Sequence, residues 1–189
     1  MTPELVLRTS NPNKLAEFQR YGLSIRAEQG PDLPEVAGTP TQVVMYKALA
    51  AGPWVLVEDT SLDVEGFDAG VNIRWVLDEI TAKLAANPGI AGPKALWRVM
   101  LAYHDGERMH VAQAELKGTL IGSPRGGGHS FDPYFVPGNL ISTLGELEDA
   151  GVKDHISPRC AAVKRLLAGS CSSIAVSSIP EWTGAYQAD

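Results

Sequence analysis

The feature that most constrains the fold is an unbroken apolar run with acids and hydroxyls directly after it. Residues 54–57 are four apolar side chains in a row, and residues 58–61 read Glu-Asp-Thr-Ser. A short run without polar alternation is typical of a strand that is covered on both faces, as in sheets flanked by helices. Acids at the end of such a strand are costly unless they are paired or bind a metal ion. The run therefore predicts an α/β protein with a polar site at a strand end.

Strand and helix patterns alternate along the rest of the chain. Strands are predicted at residues 5–7, 23–27 and 54–57, with a hairpin of 96–104 and 108–121 around the turn Asp105-Gly106. Helices are predicted from Pro12 to Gly22, from a cap at Thr41 to about residue 51, over 73–86 and over 161–167, with a loop at 66–72. Alternating helices and strands with one hairpin predict a mixed α/β sheet.

Composition and charge narrow the class of protein. The chain has 189 residues, 44% of them hydrophobic, which predicts a single globular domain over 1–168 and a serine-rich tail over 169–189. The net charge of −6 argues against a general nucleic-acid binder, which needs a basic surface. A small anionic ligand remains compatible, because lysines and a metal ion can reverse the local sign.

Cysteine use and hydropathy predict a cytoplasmic protein. The two cysteines, Cys160 and Cys171, form no metal-binding or redox motif, so we expect reduced thiols. The four histidines lack the spacing of a zinc site. No apolar run approaches the ~20 residues that span a bilayer, and the acidic start is not typical of a signal peptide. No membrane partner is expected.

Lys14 is a candidate phosphate ligand at the start of the first helix. Backbone N–H groups at a helix start favour anions, and a lysine there adds a full positive charge. The preceding string, Thr9-Ser10-Asn11, supplies small polar groups at the same strand–helix junction. The alternative is a surface lysine beside a helix cap. The Walker pattern is absent, so this is not a P-loop.

The acidic pair at the strand end is a candidate magnesium ligand. Because neighbouring strand residues point to opposite faces, only one of Glu58 and Asp59 can enter a given site. Mg²⁺ is commonly held by one or two carboxylates together with substrate phosphates, so Asp59 and the loop acid Glu35 form a possible pair. The alternatives are a strand-end acid that caps the next turn and a solvated loop acid. Lys47, on a small apolar helical face, either joins this site or extends to solvent.

Five blocks of the chain, in order, resemble those of the inosine triphosphate pyrophosphatase family, which clears non-standard purine nucleoside triphosphates. The resemblance covers residues 5–167. The matching positions are Thr9-Ser10-Asn11 with Lys14 and Glu17; Asp32-Leu33-Pro34-Glu35 with Gly38, Lys47 and Ala48; Glu58-Asp59-Thr60-Ser61-Leu62; Gly70 with Ile73-Arg74-Trp75; and Arg125-Gly126, Asp132-Pro133, Phe135, Thr143, Glu146, Lys153, Ser157 and Arg159.

The resemblance implies a fold and a reaction. The fold is an elongated central mixed β-sheet with two α/β lobes flanking a nucleotide cleft. Water attacks the α-phosphorus of a nucleoside triphosphate, and pyrophosphate leaves. The implied cofactor is Mg²⁺, with Mn²⁺ as a possible substitute, and the implied assembly is a homodimer.

The resemblance also assigns roles to residues of this chain. Glu35 and Asp59 would hold the metal ion, and Asp59 would also align or deprotonate the water. The cations expected to meet the phosphate charge are Lys14, Lys47 and Lys153. Short polar contacts would come from Thr9, Ser10, Asn11 and Thr60. Asp132 and Arg159 would face the nucleoside.

Two departures from the family pattern lie at the nucleoside end. The family's closing Ser-His-Arg is Ser157-Pro158-Arg159 here, and proline has no side-chain donor and no backbone N–H. An aromatic residue, a glycine and then Tyr or Trp precede Asp-Pro in the family, whereas this chain has the substrate-binding candidates His129, Ser130 and Phe131. His129 stands where a phenyl ring would stack on the base.

One interpretation of these departures is sequence drift with an unchanged base preference, and beside it three functions stay open. The first is hydrolysis of a purine (deoxy)nucleoside triphosphate with a base preference altered from inosine and xanthine. The second is a nucleotide-binding protein with little turnover, and the third is a dedicated pyrophosphatase of an unusual nucleotide pathway. Loss of a polar contact built for one substrate group can change discrimination by orders of magnitude.

Overall fold

A computed structural model of the protein describes residues 4–9, 11–28, 30, 32–87 and 92–187. The helices are α1 (Pro12–Arg20), α2 (Pro40–Ala51), α3 (Ile73–Ala85), α4 (Leu144–Asp149) and α5 (Pro158–Leu167). The strands are β1 (Val6–Arg8), β2 (Arg26–Glu28), β3 (Val55–Val64), β4 (Phe67–Gly70), β5 (Lys94–His104), β6 (Arg108–Leu120), β7 (Phe135–Pro137) and β8 (Ser172–Ala175).

One mixed sheet organises the strands. The order is β2-β1-β3-β5-β6-β7, with β4 paired to β3 and β8 paired to β6. β1 runs parallel to both β2 and β3, whereas the β3–β4, β6–β7 and β6–β8 pairs are antiparallel. Leu56 and Val57 are both fully buried in β3, so this strand is covered on both faces. The predicted mixed α/β sheet is confirmed.

The chain divides into two compact units. Unit 1 comprises Met1–Asp59, Val99–Ala114 and Arg159–Asp189, and unit 2 comprises Thr60–Arg98 and Glu115–Pro158. The long strands β3, β5 and β6 each contribute residues to both units. The predicted boundaries, a domain over 1–168 and a tail over 169–189, stay a prediction.

One core cluster of unit 1 lies between α2 and the sheet. Its buried members are Val44, Ala48, Val57, Met100, Ala102, Met109 and Val111. The helix begins at a capping box: the Thr39 hydroxyl accepts the Gln42 N–H at 3.3 Å, and the Gln42 side chain accepts the Thr39 N–H at 2.9 Å. The predicted cap at Thr41 was therefore wrong by one half-turn, since Thr41 already lies inside the helix.

The core of unit 2 contains an aromatic cluster. The ring of Trp97 contacts Phe131 edge-on at 5.5 Å between centroids, and Phe135 at 6.4 Å. Such edge-to-face pairs add stability beyond the area that they bury. The predicted loop at 66–72 was wrong in part, because β4 pairs with β3 through Val64–Phe67 and Leu62–Gly70.

The serine-rich C-terminal segment is structured within unit 1. β8 pairs with the start of β6, and a short 3-10 turn follows at Val176–Ser178. Farther along, Tyr186 forms an isolated bridge with Val36. Cys160 and Cys171 form no disulfide. Among the described residues, no helix is both long and apolar enough to cross a membrane.

Candidate active site

The site in unit 1 is built around the ammonium group of Lys47. This group donates a hydrogen bond to Glu35 and lies 3.7 Å from Oδ1 of Asp59. Lys47 projects from α2, Glu35 from the preceding loop and Asp59 from β3, so three separate segments meet. Burial lowers the pKa of Lys47, but the charges of Asp59 and Glu35 outweigh this effect and raise it. Lys47 is therefore a cation at every physiological pH.

The loop that carries Glu35 is held by the C-terminal segment. The backbone N–H of Gln187 donates to the Glu35 carbonyl at 2.8 Å, and the Gln187 side chain donates to the Val36 carbonyl at 3.1 Å. The Ala37 N–H donates in turn to the Ala185 carbonyl at 2.9 Å. The Glu35 backbone is thus fixed by strand-like contacts, while its carboxylate stays partly exposed to solvent.

Asp59 has a strongly perturbed acidity. Burial raises its pKa from 3.8 to about 7; Lys47 opposes the rise, and the neighbouring charges of Glu58 and Glu35 add to it. A carboxyl group with a pKa near neutrality can accept a proton at physiological pH, as a general base does. A pKa that is shifted this far within a cluster of charged groups is typical of functional sites.

A second charge cluster in unit 1 lies on the other face of β3. The Glu58 carboxylate forms an ion pair with Lys14 of α1 and accepts two hydrogen bonds from Arg159 of α5, at 3.3 Å from Nε and 3.1 Å from Nη2. The Arg159 guanidinium also donates to Glu17. Burial lowers the pKa of Arg159, and the two carboxylates more than reverse that effect, so its pKa is raised. Glu58 and Asp59 thus separate into two clusters, as the alternation of a strand requires.

The other predicted substrate-binding residues near α1 and β3 are Thr9, Ser10, Asn11 and Thr60. The Thr9 hydroxyl accepts the backbone N–H of Asn11 at 3.1 Å, and the Asn11 carbonyl accepts the Leu15 N–H at the start of α1. This exposed junction retains the polar groups that the sequence predicted for phosphate. Ser10 lies outside the described residues. Thr60 is half-buried on β3 at the first position of unit 2.

In unit 2, Asp132 and Lys153 form a buried ion pair. Lys153 Nζ donates to Oδ2 of Asp132 at 2.7 Å and lies 3.6 Å from Glu148, and its side chain is only 3% exposed. The resemblance assigned Lys153 to the phosphate charge, but here its ammonium is occupied by two carboxylates. A buried ammonium paired in this way is fixed in position and constrains Asp132.

The string before Asp132 forms a tight turn. Oδ2 of Asp132 accepts the His129 N–H at 2.9 Å, and Ser130 takes a positive φ of 55°, which is uncommon for a residue other than glycine. The His129 and Ser130 side chains are exposed, so each is accessible to a ligand. Phe131 is different: its ring is buried against Trp97, so it supports the core of unit 2 and does not present a stacking face.

The structure thus brings the predicted residues together in three groups. Glu35, Lys47 and Asp59 form one, Lys14 and Arg159 meet through Glu58, and Asp132 meets Lys153. The resemblance assigned Arg159 to the nucleoside; its guanidinium donates to Glu17 and Glu58 within unit 1, and its role toward the nucleoside stays a prediction. No role was assigned to Glu17 from the sequence. The signal that could have identified it is its position on α1, three residues after Lys14 and on the buried side of the helix.

The fold and this site define a class of protein. It is a mixed α/β protein in which two carboxylates converge on a partly buried ammonium group beside a second cluster with lysine and arginine. Among the described residues, no group of three or more His, Cys, Asp or Glu side chains is arranged to hold a metal ion by itself. A cation at Glu35 and Asp59 would therefore need ligand oxygens from a bound anion as well.

Comparison with known proteins gives the family. Residues 5–169 match the family model described as Ham1 family, and the chain belongs to this family. A dITP/XTP pyrophosphatase of Gloeobacter violaceus is 32% identical over 186 residues, covering 89% of this chain and 94% of that protein. An inosine triphosphate pyrophosphatase of Candida albicans is 30% identical over 168 residues, covering 83% of this chain and 79% of that protein.

Solved structures share the fold. A HAM1 protein from Coxiella burnetii superposes with a TM-score of 0.73 at 24% identity, covering 88% of this chain and 98% of that one. A Ham1 protein from Staphylococcus aureus gives a TM-score of 0.69 at 19% identity, covering 89% and 98%. The family predicted from the five sequence blocks is confirmed.

Proposed function

We propose that the protein is a nucleoside triphosphate pyrophosphatase that converts a purine (deoxy)nucleoside triphosphate to the monophosphate and pyrophosphate. The observation that carries the proposal is the convergence of Glu35 and Asp59 on Lys47, with Asp59 buried and its pKa raised to about 7. The names of the relatives, which are dITP/XTP and inosine triphosphate pyrophosphatases, support the same reaction class.

A magnesium ion fits the residues present. Glu35 and Asp59 supply the two carboxylates that Mg²⁺ commonly takes from protein, and substrate phosphates complete its preferred oxygen shell. Both carboxylates already lie within reach of one cation, the Lys47 ammonium group, and a second cation would further stabilise their negative charges. When bound, the ion would supply neutralisation of phosphate charge. Mn²⁺ has the same ligand preferences and is an expected substitute.

The chain's own residues would orient the phosphates and activate water. Lys47 would contact the triphosphate at the acid cluster, and Lys14 would contact it from the start of α1. Asp59 would accept a proton from water as the water oxygen forms a bond to the α-phosphorus. The bond from that phosphorus to the bridging oxygen then breaks, and the pair of electrons leaves with pyrophosphate. Positioning and charge neutralisation account for most catalysis of this kind.

The base preference is the finer part of the proposal. Pro158 is the first residue of α5, so no histidine side chain is available where the family's closing string has one. His129 is exposed and can stack, hydrogen-bond or carry charge. These two residues favour a preference that differs from inosine and xanthine. A cytoplasmic location and a homodimer remain predictions from the sequence.

A panel of triphosphates tests the proposal. Purified protein with Mg²⁺, and separately with Mn²⁺, is incubated with inosine, xanthine, adenine and guanine ribo- and deoxyribonucleotides, and both products are separated by ion-exchange chromatography. We expect equal amounts of monophosphate and pyrophosphate from at least one substrate, and a loss of several orders of magnitude in kcat for Asp59→Asn. Asp63→Asn, the same change at an exposed acid farther along β3, is the matched control and should retain activity.

Two results would reject the proposal. Stoichiometric release of inorganic phosphate without pyrophosphate would assign a different reaction. Tight nucleotide binding without any release of pyrophosphate, across all bases and both metals, would select the nucleotide-binding alternative.

A further inference from the structure

We propose that Glu58 is an internal competitor for Lys14: its carboxylate holds the ammonium group in the free protein and must be displaced when Lys14 engages a phosphate. This inference rests on the proposed function, because it takes Lys14 as a phosphate ligand. It assigns to Glu58 a role in affinity and product release that is distinct from both metal binding and water activation.

Glu58 is held rigidly. Its side chain is only 2% exposed, and Oε1 accepts both hydrogen bonds from Arg159. Arg159 is fixed in turn by Glu17, so the carboxylate is anchored by α5 and, through Glu17, by α1. The second oxygen, Oε2, forms the ion pair with the ammonium group of Lys14.

Lys14 is the mobile partner of this pair. Its side chain is 28% exposed, compared with 2% for Glu58, so the ammonium group can leave the carboxylate for a ligand while the carboxylate cannot follow. A lysine has several rotatable bonds and a compact charge that transfers readily between anions. A buried carboxylate and a bound phosphate therefore compete for one cation.

This competition lowers affinity and favours release. A phosphate that captures Lys14 gains one charge-assisted contact but breaks another, so the net gain is small. When the product departs, Lys14 returns to Glu58 instead of remaining an unpaired cation near the site. The same exchange makes retention of pyrophosphate less favourable after the reaction.

Glu58→Asp tests the contact without changing the net charge. The shorter side chain draws the carboxylate back by about 1.5 Å, which is one carbon–carbon bond, and releases Lys14. Isothermal titration calorimetry with inorganic tripolyphosphate, and separately with pyrophosphate, gives the affinity directly. We expect both ligands to bind about five- to tenfold more tightly, the size of a lost charge-assisted contact. Product inhibition by pyrophosphate should increase by the same factor.

A double-mutant cycle identifies Lys14 as the link. Lys14→Met should weaken tripolyphosphate binding, and Glu58→Asp should have no effect in that background. Glu79→Asp makes the same change in an exposed acid–lysine pair, Glu79 with Lys83, and should bind as the wild type does. Glu58→Gln provides a second variant if Glu58→Asp does not fold.

The outcomes separate this inference from the proposed function. Absence of pyrophosphate release by the wild type would reject the proposed function, whereas the tripolyphosphate titrations still decide the role of Glu58. Weaker or unchanged binding in Glu58→Asp, with or without a lower melting temperature, would overturn the competition. An equal gain in the Lys14→Met background would overturn it too, and so would absence of binding in every variant.

Discussion

Replacement of Asp59 by asparagine is expected to stabilise the protein at neutral and alkaline pH even as it removes the proposed activity. The reason is the acidity of this carboxyl group, whose pKa is raised by burial from 3.8 to about 7. An ionised carboxylate in this position is less well solvated than in the unfolded chain, so its charge opposes folding. Lys47 offsets part of that cost but does not cancel it.

The pH dependence of this stabilisation follows from the difference between the pKa of Asp59 in the native protein and its pKa in the unfolded chain. Below about pH 4 the carboxyl group is protonated in both the native and the unfolded state. Between pH 4 and 7 the unfolded state has lost this proton while the native state still binds it, so the free energy of unfolding falls as the pH rises. A pKa difference between 3.8 and about 7 corresponds to about 4 kcal/mol at 25 °C. Asparagine does not titrate and escapes this loss.

Urea unfolding followed by circular dichroism, in EDTA at pH 4, 6 and 8, measures the effect. The stability of Asp59→Asn relative to the wild type should increase with pH by up to about 4 kcal/mol, while Asp63→Asn should show no such trend. At pH 8, Mg²⁺ in excess of the EDTA, added together with tripolyphosphate, should stabilise the wild type more than Asp59→Asn. A relative stability of Asp59→Asn that is the same at all three pH values would refute the reasoning.

Three further changes test other parts of the structure. Thr39→Ala should cost about 1 kcal/mol in urea unfolding through loss of the α2 cap, and Thr41→Ala should cost less; the reverse order would contradict the capping box. Both ring nitrogens of His104 are buried and have no hydrogen-bond partner among the residues that the structure describes, and burial lowers the pKa of this histidine. His104→Leu should therefore lessen the fall in melting temperature from pH 8 to pH 5, and an unchanged slope would count against this. Lys153→Met should cost about 3–5 kcal/mol because Asp132 loses its buried partner, and Asp132→Asn in that background should recover part of it; strictly additive losses would argue against a coupled pair.

Much of the fold could be predicted because the signals are local. The apolar run before Glu58 defines a buried strand, and the turn Asp105-Gly106 defines the hairpin of β5 and β6. Adjacent acids on a strand must face opposite sides, and the structure places Glu58 and Asp59 in two different clusters. These inferences need only the geometry of a strand or a turn, which neighbouring residues determine.

The misplaced features depended on weaker or distant information. Thr39 with Gln42 is a recognisable capping box, but the downstream Thr41 also resembles a cap, and only the hydrogen bonds distinguish them. β4 has four residues, too few for a clear alternation. Both are differences of a few residues.

The ion-pair partners of the charged residues could not be predicted from the sequence pattern. Arg159 and Glu17 lie 142 positions apart, and no local periodicity reports that they meet. The family resemblance assigned both Arg159 and Asp132 to the nucleoside, which does not tell which carboxylates hold the Arg159 guanidinium. The apolar run indicates that the acids after it need partners, but which side chains supply them is evident only once the strand is placed in the sheet.

The attachment of the Glu35 loop has a consequence for heat inactivation. The contact between Gln187 and Val36 closes a loop of 151 positions, and such long-range closures form slowly and carry a large entropic cost. Peripheral segments of this kind open at lower free energies than the sheet does. Warming should therefore detach residues 185–187 first and free one of the two carboxylates while the helices and strands persist. Catalytic failure would then precede the melting of secondary structure, and cooling would reverse it.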